Sequence, residues 1–496
     1  MGVHRVRFGW RRQSWRLAVC LFAAVSAACG SELGSAPGGL SGLSGRLQQM
    51  QPVSPGRPDP VLLVSVAGLT PDLYLRAPTP MPILADLARA GVAAEFVESV
   101  VPATVYPVHT SLVTGRPPNH HGVPADRLLG ARGVRRARYS HASYVQGPTL
   151  WQSAIDAKIG VAALDWPATQ GAAIPLLLPD VLPIRRGERW SDLLAGTTTP
   201  WLLEIARSRP EELAESGRPG ASRDALLVDM VCKVVAGEPP PGLILLRLSQ
   251  TEPVLNAQGP YSEQAREAFA RVDADLGDLL GCLEEVGSFA SAAIVVVGDR
   301  TVRPVHTAVR PNFVMAEAGL LSFDSSGAVE RWSAVVRSNG GSAFVYARDD
   351  HSAVGARSAL EAEAERSGAF RIVTADEMIR RDADSEAWFG LEARPGFAFD
   401  DSARGPLLRP AKRRSAGGYL EPRLELGPGF VAYGRGLRRN LRLPEIDQLD
   451  IAPTIAKLRG LELPGARGRV FVGVLHLPAD PRPAGEAGGR SGGDLQ

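Results

Sequence analysis

The stretch that decides the fold is PATVYPVHTSLVTGRPPNHHGV, at residues 102–123. Residues 107–115 have the length of a short helix, and Gly115 provides a stop signal at its C-terminal end. Thr104 stands just before this segment, at a place where a threonine side chain commonly caps a helix. The stretch therefore predicts a helix that starts close to Thr104 and ends at Gly115.

Apolar runs on either side of this helix predict strands that are buried on both faces. Residues 61–66 (VLLVSV), 243–248 (LILLRL) and 294–298 (IVVVG) are nearly continuous in apolar side chains. Segments with helical spacing separate them, at residues 82–90 and 262–285. This alternation predicts an α/β fold with a mainly parallel central sheet and helices on both faces. Strand-like segments around a predicted helix at residues 351–367 predict a small inserted subdomain, at about residues 305–415.

The composition excludes several classes of protein. The 496 residues contain 55 Lys and Arg against 53 Asp and Glu, a net charge of +2, and 45% are hydrophobic. These values are ordinary for a globular chain, and they argue against a disordered, collagen-like or multi-span membrane protein. The charge also argues against nucleic acid as a partner.

The first 29 residues resemble the signal segment of a bacterial lipoprotein. Five arginines and no acidic residue precede a short apolar run at residues 17–28. Cys29 follows Ser-Ala-Ala, which favours lipidation of Cys29; the alternative is plain secretion with cleavage at a nearby alanine. Residues 30–60 are predicted to be a flexible tether, residues 61–475 the folded domain and residues 476–496 a disordered tail. The leader predicts export to a bacterial envelope or periplasm, with a membrane anchor at Cys29.

Two of the remaining cysteines fall in helix-like segments. Cys232 and Cys282 could pair in an oxidising compartment, but the sequence alone does not say so. We expect two buried free thiols.

Several stretches, taken in order, resemble the type I phosphodiesterase/nucleotide pyrophosphatase family of the alkaline phosphatase superfamily. The likeness covers most of residues 61–470, and it implies that superfamily's α/β sandwich. The matching segments are residues 61–74, 102–123, 164–180, 309–321, 391–401, 418–422 and 449–464.

The resemblance also implies where the family's chemistry would lie. Family members bind two zinc ions, which activate a threonine nucleophile and hold the phosphoryl oxygens. The nucleophile position is Val105 here, and the position of an asparagine that helps to hold the phosphate is Asp126. The zinc-ligand positions hold Ala67, Glu252, Asn256, Asp299, Arg300 and Gly417.

Most of these positions have lost the side chain that the chemistry needs. Only Asp299 keeps the family's residue; Glu252 keeps a carboxylate, and Asn256 offers a neutral oxygen. Ala67 and Gly417 have no donor atom, and an arginine such as Arg300 does not lose its proton to become a ligand. The resemblance therefore predicts no zinc and no other cofactor. The candidate ligand pocket then consists of Asp299, Arg300, Glu252, Asn256 and Asp126.

Two interpretations remain for Arg300. Between Asp299 and Glu252 it predicts a structural cluster of charge-assisted hydrogen bonds, in which the guanidinium replaces the zinc charge. The alternative is a pocket for an anionic ligand, since arginine binds phosphate with two donors.

Thr104 offers the one route to an active site. Its hydroxyl stands beside the lost nucleophile at a helix N-terminus, where anions are favoured. We expect a capping role for Thr104, because no zinc or base is predicted there to activate the hydroxyl. His109 and His121 are expected to be hydrogen-bonded structural residues, and His306 is a candidate to reach the pocket.

These observations predict a pseudoenzyme of the envelope, which binds a phosphate ester or another anion, or an unknown protein, through the old cleft. The alternatives are an active phosphodiesterase or phosphatase that uses Thr104, and an architectural envelope protein without a ligand.

Overall fold

The computed structural model describes residues 59–476, apart from residues 186, 216, 218 and 421–426. The predicted leader with Cys29, residues 30–58 of the predicted tether and residues 477–496 of the predicted tail lie outside the described residues. Within the described ranges, no helix is both long enough and apolar enough to cross a membrane.

The described residues contain both strands and helices. The strands are β1 Val61–Val66, β2 Val92–Ala94, β3 Val97–Glu98, β4 Arg127–Gly130, β5 Gly133–Arg138, β6 Val161–Trp166, β7 Leu176–Pro179, β8 Leu243–Leu248, β9 Ala293–Gly298, β10 Arg303–Val309, β11 Leu321–Phe323, β12 Val329–Trp332, β13 Ala334–Ser338, β14 Ser342–Ala347, β15 Phe370–Val373, β16 Phe389–Ala393, β17 Gly396–Phe399, β18 Leu408–Pro410, β19 Ser415–Ala416, β20 Phe430–Gly434, β21 Leu441–Leu443 and β22 Ile446–Asp447. The helices are α1 Asp72–Leu75, α2 Pro82–Ala90, α3 Val105–Thr114, α4 Pro118–His121, α5 Leu150–Asp156, α6 Trp190–Thr197, α7 Pro200–Arg207, α8 Pro210–Glu215, α9 Ala221–Val235, α10 Thr251–Gln258, α11 Glu263–Glu285, α12 Pro311–Glu317, α13 Asp350–Ser367, α14 Ala375–Arg380 and α15 Ile451–Arg459.

A large, mainly parallel sheet forms the centre of the molecule, as predicted. Its strand order is β21-β2-β20-β9-β1-β8-β6-β7. Strand β1 pairs in parallel with both β8 and β9, and β6 pairs in parallel with β8 and β7. Strand β20 is the antiparallel exception, between β2 and β9.

Helices cover both faces of this sheet, because its central strands are apolar on both sides. Leu62 and Val64 of β1 belong to the core under α2, α9 and α11. Val61 and Leu63 of the same strand belong to the core under α3, α5 and α15. This sandwich of helix, sheet and helix layers is the α/β architecture that the sequence predicts.

A second, antiparallel sheet has the order β13-β14-β16-β15 and a hydrophobic core of its own. Helix α13 packs on it through Ala356 and Leu360. Strand β10 comes after β9 of the central sheet and before β13 of the second sheet in the chain. It pairs with β17, β18 and β19. These elements span residues 303–416, and the inserted subdomain at about residues 305–415 stays a prediction.

A disulfide joins Cys232 of α9 to Cys282 of α11, with their Cα atoms 5.4 Å apart. The expectation of two free thiols is therefore wrong. The reason is tertiary: α9 and α11 pack side by side on the same face of the sheet, and residues 50 positions apart in the chain meet there.

Candidate functional site

The carboxyl ends of three neighbouring strands bring most of the predicted site together. Val66 at the end of β1 lies beside Leu248 of β8 on one side and Gly298 of β9 on the other. Ala67, the loop that leads to Glu252, and Asp299 with Arg300 therefore follow adjacent strands. The backbone N–H of Gly68 donates to Oδ1 of Asp299 over 2.8 Å, which ties the β1 and β9 ends together.

Helix α3 places the nucleophile position at the same edge. It begins at Val105 rather than at Pro107, and it ends at Gly115, whose φ of +62° suits glycine. The carbonyl of Thr104 starts the helix by accepting from the N–H of Val108 over 3.1 Å. All ten residues of α3 are buried.

The expected capping role of the Thr104 side chain is wrong. Thr104 is the N-cap residue, but its hydroxyl makes no capping hydrogen bond. Asp126 takes that role instead, because its Oδ1 accepts from the N–H of Tyr106 over 2.9 Å. Within the described part of the chain, Oγ1 of Thr104 is buried without a hydrogen-bond partner. Asp126 therefore lies at the start of α3, beside Val105.

Arg300 lies between the two surviving carboxylates. Its Nη1 contacts Oδ2 of Asp299, and its Nη2 lies 3.7 Å from Oε1 of Glu252. Arg300 and Asp299 are both buried, and 22% of the Glu252 side chain is exposed. The guanidinium thus joins the loop after β9 to helix α10.

Three further charged residues extend this contact into a buried network that the sequence analysis missed. Arg247 of β8 donates to Oε2 of Glu252 over 2.9 Å and lies 3.6 Å from Asp165 of β6. Arg223 of α9 lies 3.3 Å from the same Asp165. Arginine and carboxyl side chains alternate along this edge of the sheet, so each lies near a group of the opposite type. Burial raises the pKa of Asp165 to about 7, against the lowering effect of Arg223 and Arg247.

The sequence did contain a signal for this network. Arg247 interrupts the apolar strand LILLRL, and Asp165 interrupts VAALDW. A charged side chain inside a strand that is buried on both faces requires a buried partner. Asp165 also has a φ of +54°, in the left-handed region that is uncommon for residues other than glycine.

The network keeps Glu252 ionised. Burial alone would raise the pKa of this carboxyl, but the positive charges of Arg300, Arg247, Arg138 and Arg413 outweigh it and lower the pKa to about 2. Burial likewise opposes the charge of Arg300, yet Asp299 and Glu252 together raise its pKa. Arg300 and Glu252 therefore both carry their charges at neutral pH.

Gly417, the last of the family's zinc-ligand positions, also lies against this cluster. A Cβ atom built on Gly417 would lie 3.0 Å from Cδ of Arg300. The neighbouring Gly418 approaches Thr104 in the same way, since its Cβ would lie 3.2 Å from Cγ2 of Thr104. The loop at residues 417–418 therefore lies against both Arg300, which follows β9, and Thr104, at the start of α3.

Asn256 lies on α10, one turn after Glu252, and is half-buried. Its backbone carbonyl accepts from the N–H of Arg414 over 2.7 Å. His306 is exposed, and its ring lies 5.5 Å from that of Phe397. That His306 reaches the pocket stays a prediction.

His109 and His121 are buried and hydrogen-bonded within the fold. His109 contacts Oγ of Ser65 over 2.8 Å and the carbonyl of Val105 over 2.6 Å. His121 contacts Oγ of Ser111 over 3.0 Å. Burial lowers the pKa of each histidine to about 3, so both are neutral at pH 7.

The fold is an α/β sandwich of the alkaline phosphatase type, and the residues described above lie at the carboxyl ends of the strands in its central sheet. The sequence profile of the family described as type I phosphodiesterase / nucleotide pyrophosphatase matches residues 61–405. The chain belongs to that family.

The sequence is similar to ectonucleotide pyrophosphatase/phosphodiesterase family member 1 of Rattus norvegicus, with 19% identity over 245 residues, and of Mus musculus, with 18%. The matched segment covers 48% of this chain and 24% of those proteins, so it spans about a quarter of the length of the curated relatives. Among solved structures, murine ectonucleotide pyrophosphatase/phosphodiesterase 5, in an inactive form in complex with AMP, is similar over 84% of this chain and 100% of its own. The TM-score is 0.61 at 16% identity. The human counterpart gives a TM-score of 0.61 at 16% identity, over 84% of this chain and 99% of its own. These likenesses support the fold.

The residues at this edge do not fit two zinc ions. Zinc takes thiolate, imidazole or carboxylate donors, and the two carboxylates present, Asp299 and Glu252, both face the guanidinium of Arg300. Ala67 and Gly417 bring no donor atom, and the Arg300 side chain lies against the space in front of Gly417. In the described ranges, no group of three or more His, Cys, Asp and Glu side chains has a geometry suited to a metal ion.

Proposed function

We propose that this protein is a pseudoenzyme of the type I phosphodiesterase/nucleotide pyrophosphatase family, which binds phosphate esters without hydrolysing them. The observation that carries the proposal is the contact of Arg300 with both Asp299 and Glu252. A guanidinium there supplies a positive charge, but it can neither activate a nucleophile nor exchange ligands as a zinc ion does.

The nucleophile position supports the same conclusion. Val105 is buried in the first turn of α3 and has no oxygen to attack a phosphoryl group. Position 67 and position 417 lack donors as well. Hydrolysis in this family needs the nucleophile and the metal ligands together, because the bound metal activates the nucleophile.

The charges at the cleft favour an anionic ligand. Besides Arg300 and Arg247, which are paired with carboxylates, Arg138 and Arg413 also act on Glu252. Arginine recognises phosphate through paired N–H donors. One solved relative is described in complex with AMP, and we propose that a phosphate ester of this kind is the ligand class here.

The test measures metal content, turnover and binding on the mature chain. The protein is loaded with zinc and desalted, and zinc is counted per molecule. Hydrolysis of bis(p-nitrophenyl) phosphate and binding of AMP by calorimetry are then measured for the wild type, Arg300→Gln and Arg357→Gln. Arg357 is a matched control, because it forms an exposed pair with Glu361 over 2.8 Å.

The expected result is less than one zinc per chain, no turnover, and AMP binding that Arg300→Gln weakens and Arg357→Gln does not. Two tightly held zinc ions with turnover would overturn the proposal. Absence of both turnover and AMP binding would reject a phosphate-ester function and leave the binding of another anion or of a protein partner, and the architectural role.

One observation favours a second candidate, an active phosphodiesterase that uses Thr104. Its Oγ1 is buried at the N-terminus of α3 without a hydrogen-bond partner in the described part of the chain. Helix N-termini favour anions, so a phosphoryl group beside this hydroxyl would be stabilised there. If turnover is detected, Thr104→Val should abolish it and Thr104→Ser should retain it, whereas the same pair of changes at Thr110 should have little effect on turnover.

We also propose that the protein is an exported envelope lipoprotein, anchored by a lipid on Cys29. The Arg-rich leader, the apolar run and the small residues before Cys29 support this placement.

A further inference from the structure

The β4–β5 hairpin is rich in arginine and contains no acidic residue. Its sequence at residues 127–138 is RLLGARGVRRAR, with arginines at positions 127, 132, 135, 136 and 138. The two strands form a sheet of their own, with a turn between Gly130 and Gly133. The Cα atoms of Arg132 and Arg136 lie at most about 14 Å apart, because a strand rises about 3.4 Å per residue. We call residues 127–138 the arginine hairpin.

Three of these arginines are exposed and have no acidic partner. Arg132, Arg135 and Arg136 are exposed, and none of their side chains forms a hydrogen bond or an ion pair with the part of the chain that the structure describes. Other exposed arginines differ: Arg89 and Arg366 each pair, over 2.6 Å, with an acidic residue three positions away. The arginine hairpin offers no such partner because its own sequence contains no acidic residue.

The two arginines at the base of the hairpin act on charged groups of the protein itself. Arg127 lies 3.5 Å from Oδ2 of Asp401. The charge of Arg138 acts on Asp126 and Glu252 of the candidate site. The base of the arginine hairpin therefore adjoins the candidate site, and the three exposed arginines are left for a partner outside the chain.

The adjacent β11–β12 hairpin does not cancel this charge. Strand β12 contacts β5, and its Glu330 is followed by Arg331. Asp324, in the β11–β12 turn, accepts from the hydroxyl of Ser326 over 2.6 Å. Hydrogen bonds from Ser326 and, to a smaller extent, the charge of Arg132 lower the pKa of Asp324. Residues 127–138 and 321–332 together contain six arginines against two acidic residues.

Aromatic rings lie beside both ends of the arginine hairpin. Nε1 of Trp332 donates to the carbonyl of Gly130 over 3.0 Å, and the guanidinium of Arg348 lies 4.5 Å from the centre of the Trp332 ring. Tyr139 directly follows β5, and its ring lies 5.1 Å from that of Tyr144, which is exposed. Tryptophan and tyrosine are enriched where proteins meet the membrane–water interface, because one part of each ring system is apolar and another is polar.

We propose that the arginine hairpin is a docking surface for a membrane that contains anionic phospholipids. The exposed arginines would bind the phosphates of the headgroups, and the rings of Trp332 and Tyr144 suit the headgroup region. A membrane fits better than a nucleic acid, because the chain as a whole has a net charge of only +2 and its leader predicts export to an envelope. This inference goes beyond the proposed function, since it requires neither a ligand at Arg300 nor a lipid on Cys29.

The test is sedimentation of the mature chain with lipid vesicles. The Cys29→Ser form is used throughout, so that a lipid anchor cannot contribute to binding. Vesicles of phosphatidylcholine alone are compared with vesicles that contain equal amounts of phosphatidylcholine and phosphatidylglycerol. The hairpin variant carries Arg132→Gln, Arg135→Gln and Arg136→Gln. The control variant loses the same charge from three exposed ion pairs, through Arg89→Gln, Arg357→Gln and Arg366→Gln.

We expect binding to the vesicles with phosphatidylglycerol and not to those of phosphatidylcholine alone. Each arginine near an anionic surface adds about fivefold in affinity, so the hairpin variant should bind about a hundredfold more weakly. The control variant should bind like its parent, and added salt should weaken binding because it screens exposed charges. The single change Arg135→Gln should cost about fivefold, which keeps the test open if the triple change disturbs folding.

Three outcomes would overturn the proposal. The first is an equal loss of binding in the hairpin and control variants, which would mean that only the net charge matters. The second is equal binding to both kinds of vesicle. The third is no binding to either kind at low salt, including the case in which DNA or an acidic protein binds instead.

Discussion

The side chain of Arg300 lies directly against Gly417: a Cβ atom at Gly417 would be 3.0 Å from Cδ of Arg300 and 3.5 Å from its Nε. These two positions correspond to histidine ligands in the resemblance to the family. The long side chain of Arg300 therefore has room because Gly417 has no side chain. In the proposed pseudoenzyme, an arginine at position 300 therefore goes together with a glycine at position 417.

Gly417→His should lower the free energy of unfolding by about 1–3 kcal/mol, because the new side chain overpacks against Arg300. Combining it with Arg300→His should recover part of that loss, since the shorter ring vacates the space. A double-mutant cycle in urea measures the coupling. Gly473→His is the control, because nothing lies within 4 Å of a Cβ at that exposed position; equal losses at both glycines would contradict the packing argument.

Arg300→Ala should be strongly destabilising. It removes the cation between the two carboxylates Asp299 and Glu252, and breaking a buried pair in this way costs about 3–5 kcal/mol. Arg357→Ala, at an exposed pair, should cost less than about 1 kcal/mol. Urea unfolding of both variants checks the difference, and a loss at Arg300 no larger than that at Arg357 would show that the cluster contributes little.

Acid should remove the contribution of Glu252 to stability. Its folded pKa of about 2 lies below the ordinary value of 4.5, so the contribution is fully present above pH 4.5 and is lost as pH falls toward 2. The pKa difference corresponds to roughly 3 kcal/mol. In Arg300→Gln the folded pKa should rise, so the stability difference from the wild type should shrink between pH 5 and pH 3.

Urea unfolding at a series of pH values measures this difference. Arg357→Gln should run parallel to the wild type over the same range. A difference between wild type and Arg300→Gln that stays constant from pH 7 to pH 3 would mean that Arg300 does not set the ionisation of Glu252.

Reduction of the Cys232–Cys282 disulfide should destabilise the chain. The bridge closes a loop of 50 residues, for which loss of chain entropy in the unfolded state predicts about 4 kcal/mol. The double variant Cys232→Ser/Cys282→Ser should match the reduced wild type, and reductant should not change it further. Titration of thiols in the unfolded, unreduced protein checks the pairing; two reactive thiols from these positions would contradict it.

Cys29→Ser should release the protein from membranes. If Cys29 carries a lipid, the wild type sediments with the membrane fraction and its mature N-terminus is a modified cysteine. The variant should appear in the soluble fraction of the envelope. Mass spectrometry of the purified wild type is decisive, and an unmodified N-terminus at a nearby alanine would instead support plain secretion.

Much of the site could be anticipated from local patterns. Apolar runs such as VLLVSV and IVVVG predict buried parallel strands, and the carboxyl ends of adjacent parallel strands share one edge. Asp299, Arg300 and Glu252 could therefore be expected to lie close together. The helix stop at Gly115 was also visible in the sequence, since glycine tolerates the positive φ found there.

The sequence alone did not predict which side chains form hydrogen bonds or a disulfide with each other in the folded protein. A hydrogen bond between Asp126 and the start of α3 replaces the cap expected from Thr104, because Asp126 reaches it from 20 residues further along the chain. The disulfide depends in the same way on the packing of α9 against α11.

The sequence by itself determined the α/β class, because that class depends on residue type and local spacing. It also placed Ala67 and Gly417, which have no donor atoms, at two positions that the resemblance assigns to zinc ligands. Only the tertiary structure decided that Arg247 and Asp165 extend the Arg300 cluster. Ion pairs form between side chains that are near in space, and burial, which makes each unpaired charge costly, is set by the whole fold.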